Sequence, residues 1–314
     1  MRRVILGVTL ALLWWPASAL AQAEKPQKSD FSFSLGARTW ISTGYSTDKV
    51  QGGGIDPISV LRWRGVDSIV PEVNADLVYK RFVLMGSVGW GAIDQGVLID
   101  EDYLLSDQNG RFSRTRSDVS DDGLFYVTGD VGWRVFKWQD EKRGLPGFFD
   151  LFIGYSYWHE KYVAFGATSG FPGVVPPIAN NVKVITQDYY WQSFRVGVRE
   201  EVPLLWGIRL KGKFVLIPYN WFQLDDIHHL RSDLRQNPSF RDEAQGGFGL
   251  DVDGALTTTI WKSLSVEVGY RYWGVRSGPG DAFTRSLCCG ILNDKLNEDT
   301  TERYGPYFGL VYRF

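Results

Sequence analysis

Residues 302–314 read ERYGPYFGLVYRF, and their alternation decides the fold. Tyr304, Pro306, Phe308, Leu310, Tyr312 and Phe314 fall at every second position, with Gly305, Tyr307, Gly309, Val311 and Arg313 between them. Successive side chains of a strand point to opposite faces, so the first set forms one apolar row and the second a mixed one. A wall that is apolar outside and more polar inside is what a lipid-facing barrel strand requires.

The same grammar recurs upstream. Leu264, Val266, Val268, Tyr270 and Tyr272 alternate with Ser263, Ser265, Glu267, Gly269 and Arg271. Phe248, Leu250, Val252 and Leu256 alternate with Gly249, Asp251, Asp253 and Ala255. Phe125, Val127, Val131, Trp133 and Val135 alternate with Tyr126, Thr128, Asp130 and Arg134. Charges on the second face are ruinous in lipid, so that face lines an interior. There Asp130, Arg134, Asp251, Asp253, Glu267 and Arg271 can pair with one another and fill a narrow lumen.

Runs of this kind predict an all-β chain, a ten-stranded antiparallel transmembrane β-barrel. Its strands lie near 31–45, 56–79, 82–98, 123–138, 148–166, 182–202, 207–224, 245–260, 263–277 and 302–314. Tight turns are expected at Lys80-Arg81, near Pro203 to Trp206 and at Trp261-Lys262. Long polar connections are expected at 99–122, 167–181, 225–244 and 278–301. Short turns on one side and long loops on the other are the outer-membrane pattern, with the long loops extracellular. Ten strands leave too little lumen for a large open porin.

Composition agrees. Aromatic residues make up 15% of the chain, with 13 Trp and 35 Gly, which suits aromatic girdles and strands that bend or pack closely. At the start, Arg2 and Arg3 precede an apolar run from Val4 to Trp15 and small residues at Ala17, Ala19 and Ala21. This predicts a secretory signal peptide over 1–21, because about 20 apolar residues are needed to cross a bilayer. A single barrel domain over 22–314 follows. Without Arg2 and Arg3 the 34 basic side chains become 32 against 36 acidic ones, which points away from nucleic acid. The two cysteines, Cys288 and Cys289, are neighbours, so the chain is not a disulfide scaffold. A vicinal disulfide, a free thiol pair and two idle loop cysteines all remain open.

Two clusters carry chemistry: Asp100-Glu101-Asp102 after strand three, and Asp225-Asp226-Ile227-His228-His229 after strand seven. Both strands run in the same direction from short turns. The clusters lie about 18 and 19 residues past those turns, a rise of roughly 40 Å at a tilt near 45°. An apolar band about 25 Å tall leaves both above the membrane, facing each other across the mouth. Residues i and i+2 share a face, so Asp100 with Asp102, and Asp226 with His228, can point inward together. A carboxylate beside a histidine favours proton acceptance from water, and two close carboxyls resist joint ionisation. This is apparatus for hydrolysing an amide without a covalent intermediate.

With those motifs the chain resembles the omptins, outer-membrane proteases built as ten-stranded barrels. Omptins set an Asp-x-Asp pair on one wall and an Asp-x-His pair opposite; the matching residues are Asp100 and Asp102, then Asp226 and His228. The spacing between the motifs and from the second to Phe314 agrees with the family. Gly89-Trp90 before the first motif and Tyr103 after it also match. The resemblance implies an aspartic-type endopeptidase of the Gram-negative outer membrane. Asp226 and His228 would activate water, and Asp100 and Asp102 would position it.

It further implies a monomer that meets lipid, lipopolysaccharide and a peptide or protein substrate. Tyr155 and Lys161 are its candidate lipopolysaccharide contacts, and no metal or other cofactor is implied. Three substrate-pocket positions depart from the family. Leu224, Gly44 and Arg114 stand where omptins carry acids, and Arg111 and Arg116 make the loop after Asp-x-Asp basic. A basic substrate side chain lacks a partner there, so cleavage at dibasic sites is not expected.

The alternative is a noncatalytic barrel of the same fold, serving as an adhesin, small pore or structural protein. A lipid-modifying barrel enzyme would need a catalytic Ser and His at the membrane interface. Only His159 lies outside the 228–229 pair as a candidate.

Overall fold

The computed structural model describes residues 30–120, 122–139, 146–171 and 176–314. The expected signal peptide lies outside these residues. Among the described residues thirteen strands form one sheet: β1 (Phe31–Gly52), β2 (Ile55–Tyr79), β3 (Phe82–Leu105), β4 (Asn109–Val119), β5 (Asp122–Gln139), β6 (Pro146–Ser169), β7 (Ile178–Pro203), β8 (Ile208–His228), β9 (Phe240–Gln245), β10 (Gly247–Trp261), β11 (Leu264–Ser277), β12 (Gly280–Ser286) and β13 (Gly290–Arg313). They occupy ten wall positions. β4 continues the position of β5, because both pair with β3 and β6. Likewise β9 stands above β10 beside β8, and β12 above β11 beside β13. β1 closes the ring on β13 in antiparallel register, with Leu35 opposite Tyr312 and Asp48 opposite Asp299. Closure leaves no sheet edge, which satisfies the backbone hydrogen bonds of a wall that water cannot reach.

The turns at Lys80, at Trp206-Gly207 and at Lys262 are tight, with these residues at positive φ. At the other end the wall continues upward instead of dissolving into loops. Much of 99–122 is the β3–β4 hairpin, and much of 278–301 is the β12–β13 hairpin. Polar alternation in these segments reads as loop composition, yet both faces of a wall above lipid can be solvated. The β12–β13 hairpin carries the Cys288–Cys289 disulfide in its turn.

The closing strand obeys its sequence. Phe308, Leu310, Tyr312 and Phe314 are exposed on the outer face, while Arg303 and Tyr307 are buried inside. Leu84, Trp133, Ile153, Val196, Leu256 and Val268 extend the exposed apolar belt around the barrel. A belt this large on a protein surface marks contact with an apolar phase.

The lumen is filled. Of the six interior charges expected to pair among themselves, only Arg271 and Asp251 do so directly, at 3.0 Å. The others find partners that alternation did not name. Asp130 meets Arg195 at 3.1 Å and Lys213 at 2.9 Å, Asp253 meets Arg38 at 2.6 Å, Glu267 meets Lys211 at 2.9 Å and Arg134 meets Asp150 at 2.8 Å. Above this layer Trp158 stacks between Trp273 at 3.7 Å and Tyr126 at 4.6 Å. Arg303, fully buried, then spans to Glu160 at 2.7 Å. Trp63, Tyr162, Tyr189 and Trp191 form the next buried layer. Burying such charges is tolerated because each is paired and hydrogen-bonded.

Candidate active site

Two bulges aim the site. Along the lower part of β3 the inward residues are odd-numbered, as at Val83, Met85 and Ile93, whereas Leu98 faces inward above. The pairing of β2 with β3 shifts on either side of Asp67 and Gln95, and Gly65 on β2 has φ of 57°. One extra residue in a strand transfers the following side chains to the opposite face. Asp100 and Asp102 therefore turn inward. β8 repeats the device: Val215 and Ile217 are inward, then Asn220, Phe222, Leu224 and Asp226. The β7–β8 register shifts between Phe194 and Val196, opposite the segment that contains Pro218. Proline suits a bulge, where no ladder donor is required.

Asp226 is buried, and His228 Nε2 lies 3.3 Å from its Oδ1. The other carboxylate oxygen accepts a 2.6 Å hydrogen bond from Gln187 Nε2, and Gln187 Oε1 accepts from Trp63 and from Tyr189. The carboxylate is thus oriented from beneath by an amide that is itself held by two aromatic donors. The His228 ring stands edge-on to Phe240 at 4.8 Å, and its backbone N–H donates to Ser239 Oγ at 3.1 Å. Burial lowers the His228 pKa, but the charge and hydrogen bond of Asp226, with Asp100, raise it above its ordinary value overall.

Asp100 stands across β2 from Asp48 in one register row through Leu61. Burial, then Asp102, pushes Asp100 up to about 7; Asp226 and Glu101 add to the rise and His228 opposes it. Asp48 is pushed up to about 8 by burial, then by Asp226 and Asp100, again against His228. The two predicted motifs therefore belong to one electrostatic cluster. Such mutual perturbation of titratable groups is characteristic of functional sites.

The other expected positions lie elsewhere. Glu101 points to the outer wall, where it binds Arg62, Arg111 and Arg114, the last at 3.1 Å. Arg114 is thus engaged outside the mouth. Gly44 packs on β13, where a Cβ would collide with the Glu302 carbonyl. Leu224 is fully buried in the core below Asp226 and pairs across the sheet with Asp242. Tyr155 is exposed on the outer wall and donates to Gln192 at 2.7 Å. Lys161 is six residues further along the same strand, about 20 Å away. His159 contacts Asp188 at 3.0 Å and stacks on Tyr190 at 4.6 Å, on the outer face.

Gln187, Asp48, Asp242 and Asp299 were not among the expected site residues. Asp48 was legible as the first acid beyond Gly44. Asp242 and Asp299 reach the mouth only because their strands are broken or shifted there.

An all-β barrel with a filled lumen and an Asp–His cluster at one mouth defines the class. No protein-family model matches the chain, and no curated protein does. Among solved structures it is similar to the outer membrane protease OmpT from Escherichia coli, with TM-score 0.74 and 12% identity. That match covers 90% of this chain and 97% of that one. The barrel thus has the omptin fold. The transport unit of the autotransporter AIDA-I from Escherichia coli matches with TM-score 0.35 and 9% identity, covering 95% of this chain and 94% of that one.

Proposed function

We propose that this protein is an endopeptidase of the Gram-negative outer membrane, working at a mouth that faces the cell exterior. The observation that carries the reading is the single cluster formed by Asp226, His228 and Asp100 above a side-chain-filled lumen. Neutral His228 takes a proton from water as its oxygen adds to the peptide carbonyl carbon. Asp226, held by Gln187, stabilises the imidazolium. Asp100, raised enough to carry a proton near neutrality, donates to the developing oxyanion, and Asp102 keeps that proton in place by like-charge coupling. On collapse the carbonyl re-forms, Asp100 recovers its proton, the C–N bond breaks and His228 passes its proton to the leaving amine. Likeness to a protease of the same fold supports this assignment.

Lipopolysaccharide is the proposed lipid partner. Lys161 and Tyr155 are too far apart for one phosphate, so Lys161 alone would meet a headgroup phosphate and Tyr155 the lipid below it. The test is cleavage of a mixed peptide library by the barrel refolded with lipopolysaccharide, read by mass spectrometry. Asp226→Ala and His228→Ala should each lower cleavage by about 10²–10⁴-fold while the barrel stays folded. Cleavage surviving in both variants, or absent from the unmutated folded barrel, rejects the reading.

A further inference from the structure

Throughout the lower barrel, the buried carboxylates named above each face a guanidinium or ammonium. Asp130, Asp150, Glu160, Asp251 and Glu267 all do so, and Glu72 contacts Arg38 and Arg271. One group breaks this rule. Asp48, Asp242 and Asp299 are each at most 3% exposed, and one oxygen from each lies within 4.8 Å of the others. Asp48 and Asp299 are direct cross-strand partners, an arrangement that destabilises a sheet when both carry like charge. Both carboxylate oxygens of Asp299 and Oδ1 of Asp48 are buried without a hydrogen-bond partner. Among the described residues no Lys or Arg forms an ion pair with any of the three carboxyls, and His228 is the basic group that acts on Asp48. A buried acidic set with orphaned oxygens converging on one point lacks a positive charge.

We propose that Asp48, Asp242 and Asp299 form a binding site for a hard divalent cation, Ca2+ in the first instance. All three donors are oxygens, which select Ca2+ or Mg2+ over metals that prefer nitrogen or sulfur. Ca2+ fits better because it accepts irregular oxygen shells and lets water complete them, whereas Mg2+ demands a near-ideal octahedron. Three strands from distant parts of the chain, β1, β9 and β13, meet at this point. An ion there would tie the seam between β1 and β13 to the hairpin that carries Asp226 and His228. The site stands on its own geometry and does not depend on peptidase activity.

Ca2+ binding to the full chain, refolded in detergent free of lipopolysaccharide and stripped with chelator, is the deciding experiment. Equilibrium dialysis should give one Ca2+ per barrel, and saturation should raise the apparent unfolding midpoint by about 5 °C or more. Asp242→Asn and Asp299→Asn should each lower the affinity at least tenfold and abolish that rise. No saturable Ca2+, or binding and a midpoint shift retained in both variants, overturns the proposal. A barrel insensitive to Ca2+ but stabilised by Asp299→Asn would show that protons neutralise the cluster instead. Should neither variant fold, terbium replaces Ca2+ in the unmutated barrel. Tyr189, electrostatically linked to Asp48 and Asp299, would sensitise the ion's emission, and Ca2+ would reverse it. Absence of reversible emission then overturns the site.

Discussion

His228 and Asp100 carry opposite requirements at the residue scale. The proposed base must be neutral and the proposed acid protonated. Against the opposing effect of its burial, His228 is raised by Asp226, so cleavage should fall on the acid side as the ring charges. Asp100, pushed up to about 7, should lose its proton as the pH rises, and cleavage should fall again. A bell-shaped kcat/KM profile centred near neutrality is expected, its limbs belonging to the coupled pair. Asp100→Asn cannot ionise and should remove the alkaline limb while lowering kcat about 10²-fold. Profiles measured between about pH 5 and 9 decide the matter, since an unchanged alkaline limb excludes Asp100 as the acid. These residues were legible from type and i, i+2 spacing. Gln187 was not, because a lone glutamine in a strand has no linear signature. Its importance comes from Asp226, Trp63 and Tyr189 converging on it.

The strands show where alternation suffices and where it fails. β11, and β13 from Asp299 to its end, keep a single phase, so reading every second residue assigns both faces correctly there. β3 and β8 change phase at bulges, and the site residues lie beyond the change. Extending the phase of Val83 along β3, or of Val215 along β8, would place Asp100 and Asp226 outside. Deleting Pro218 alone removes the extra residue and keeps Asp226 inward, whereas deleting Pro218 together with Trp221 should turn Asp226 and His228 outward. Cleavage should be lost although every proposed catalytic side chain remains, while circular dichroism still reports a β-barrel. Full activity in the folded double-deletion variant would show that strand phase does not aim the site.

For the whole molecule, the filled lumen sets what the barrel can do. Arg195 and Arg303 cross it at two levels, and the stacked Trp158–Trp273 pair lies in the same interior. No stepwise ion conductance is expected when the protein is inserted in planar bilayers. Regular single-channel openings would instead favour the small-pore alternative. Interior packing was expected from ten strands, yet the partner of each charge was not. Arg38 reaches Asp253 across 215 residues of sequence, and Arg303 reaches Glu160 across 143.

Ten wall strands, their short turns and the two acidic motifs were readable in the chain because period-two alternation and turn chemistry are local properties. Closure put Asp48 beside Asp299, and broken wall positions carried Asp242 and the hairpins above the lipid belt. Bulges chose which face Asp100 and Asp226 present. These are consequences of register between strands far apart in sequence. A one-residue slip changes every contact beyond it while leaving the local pattern untouched.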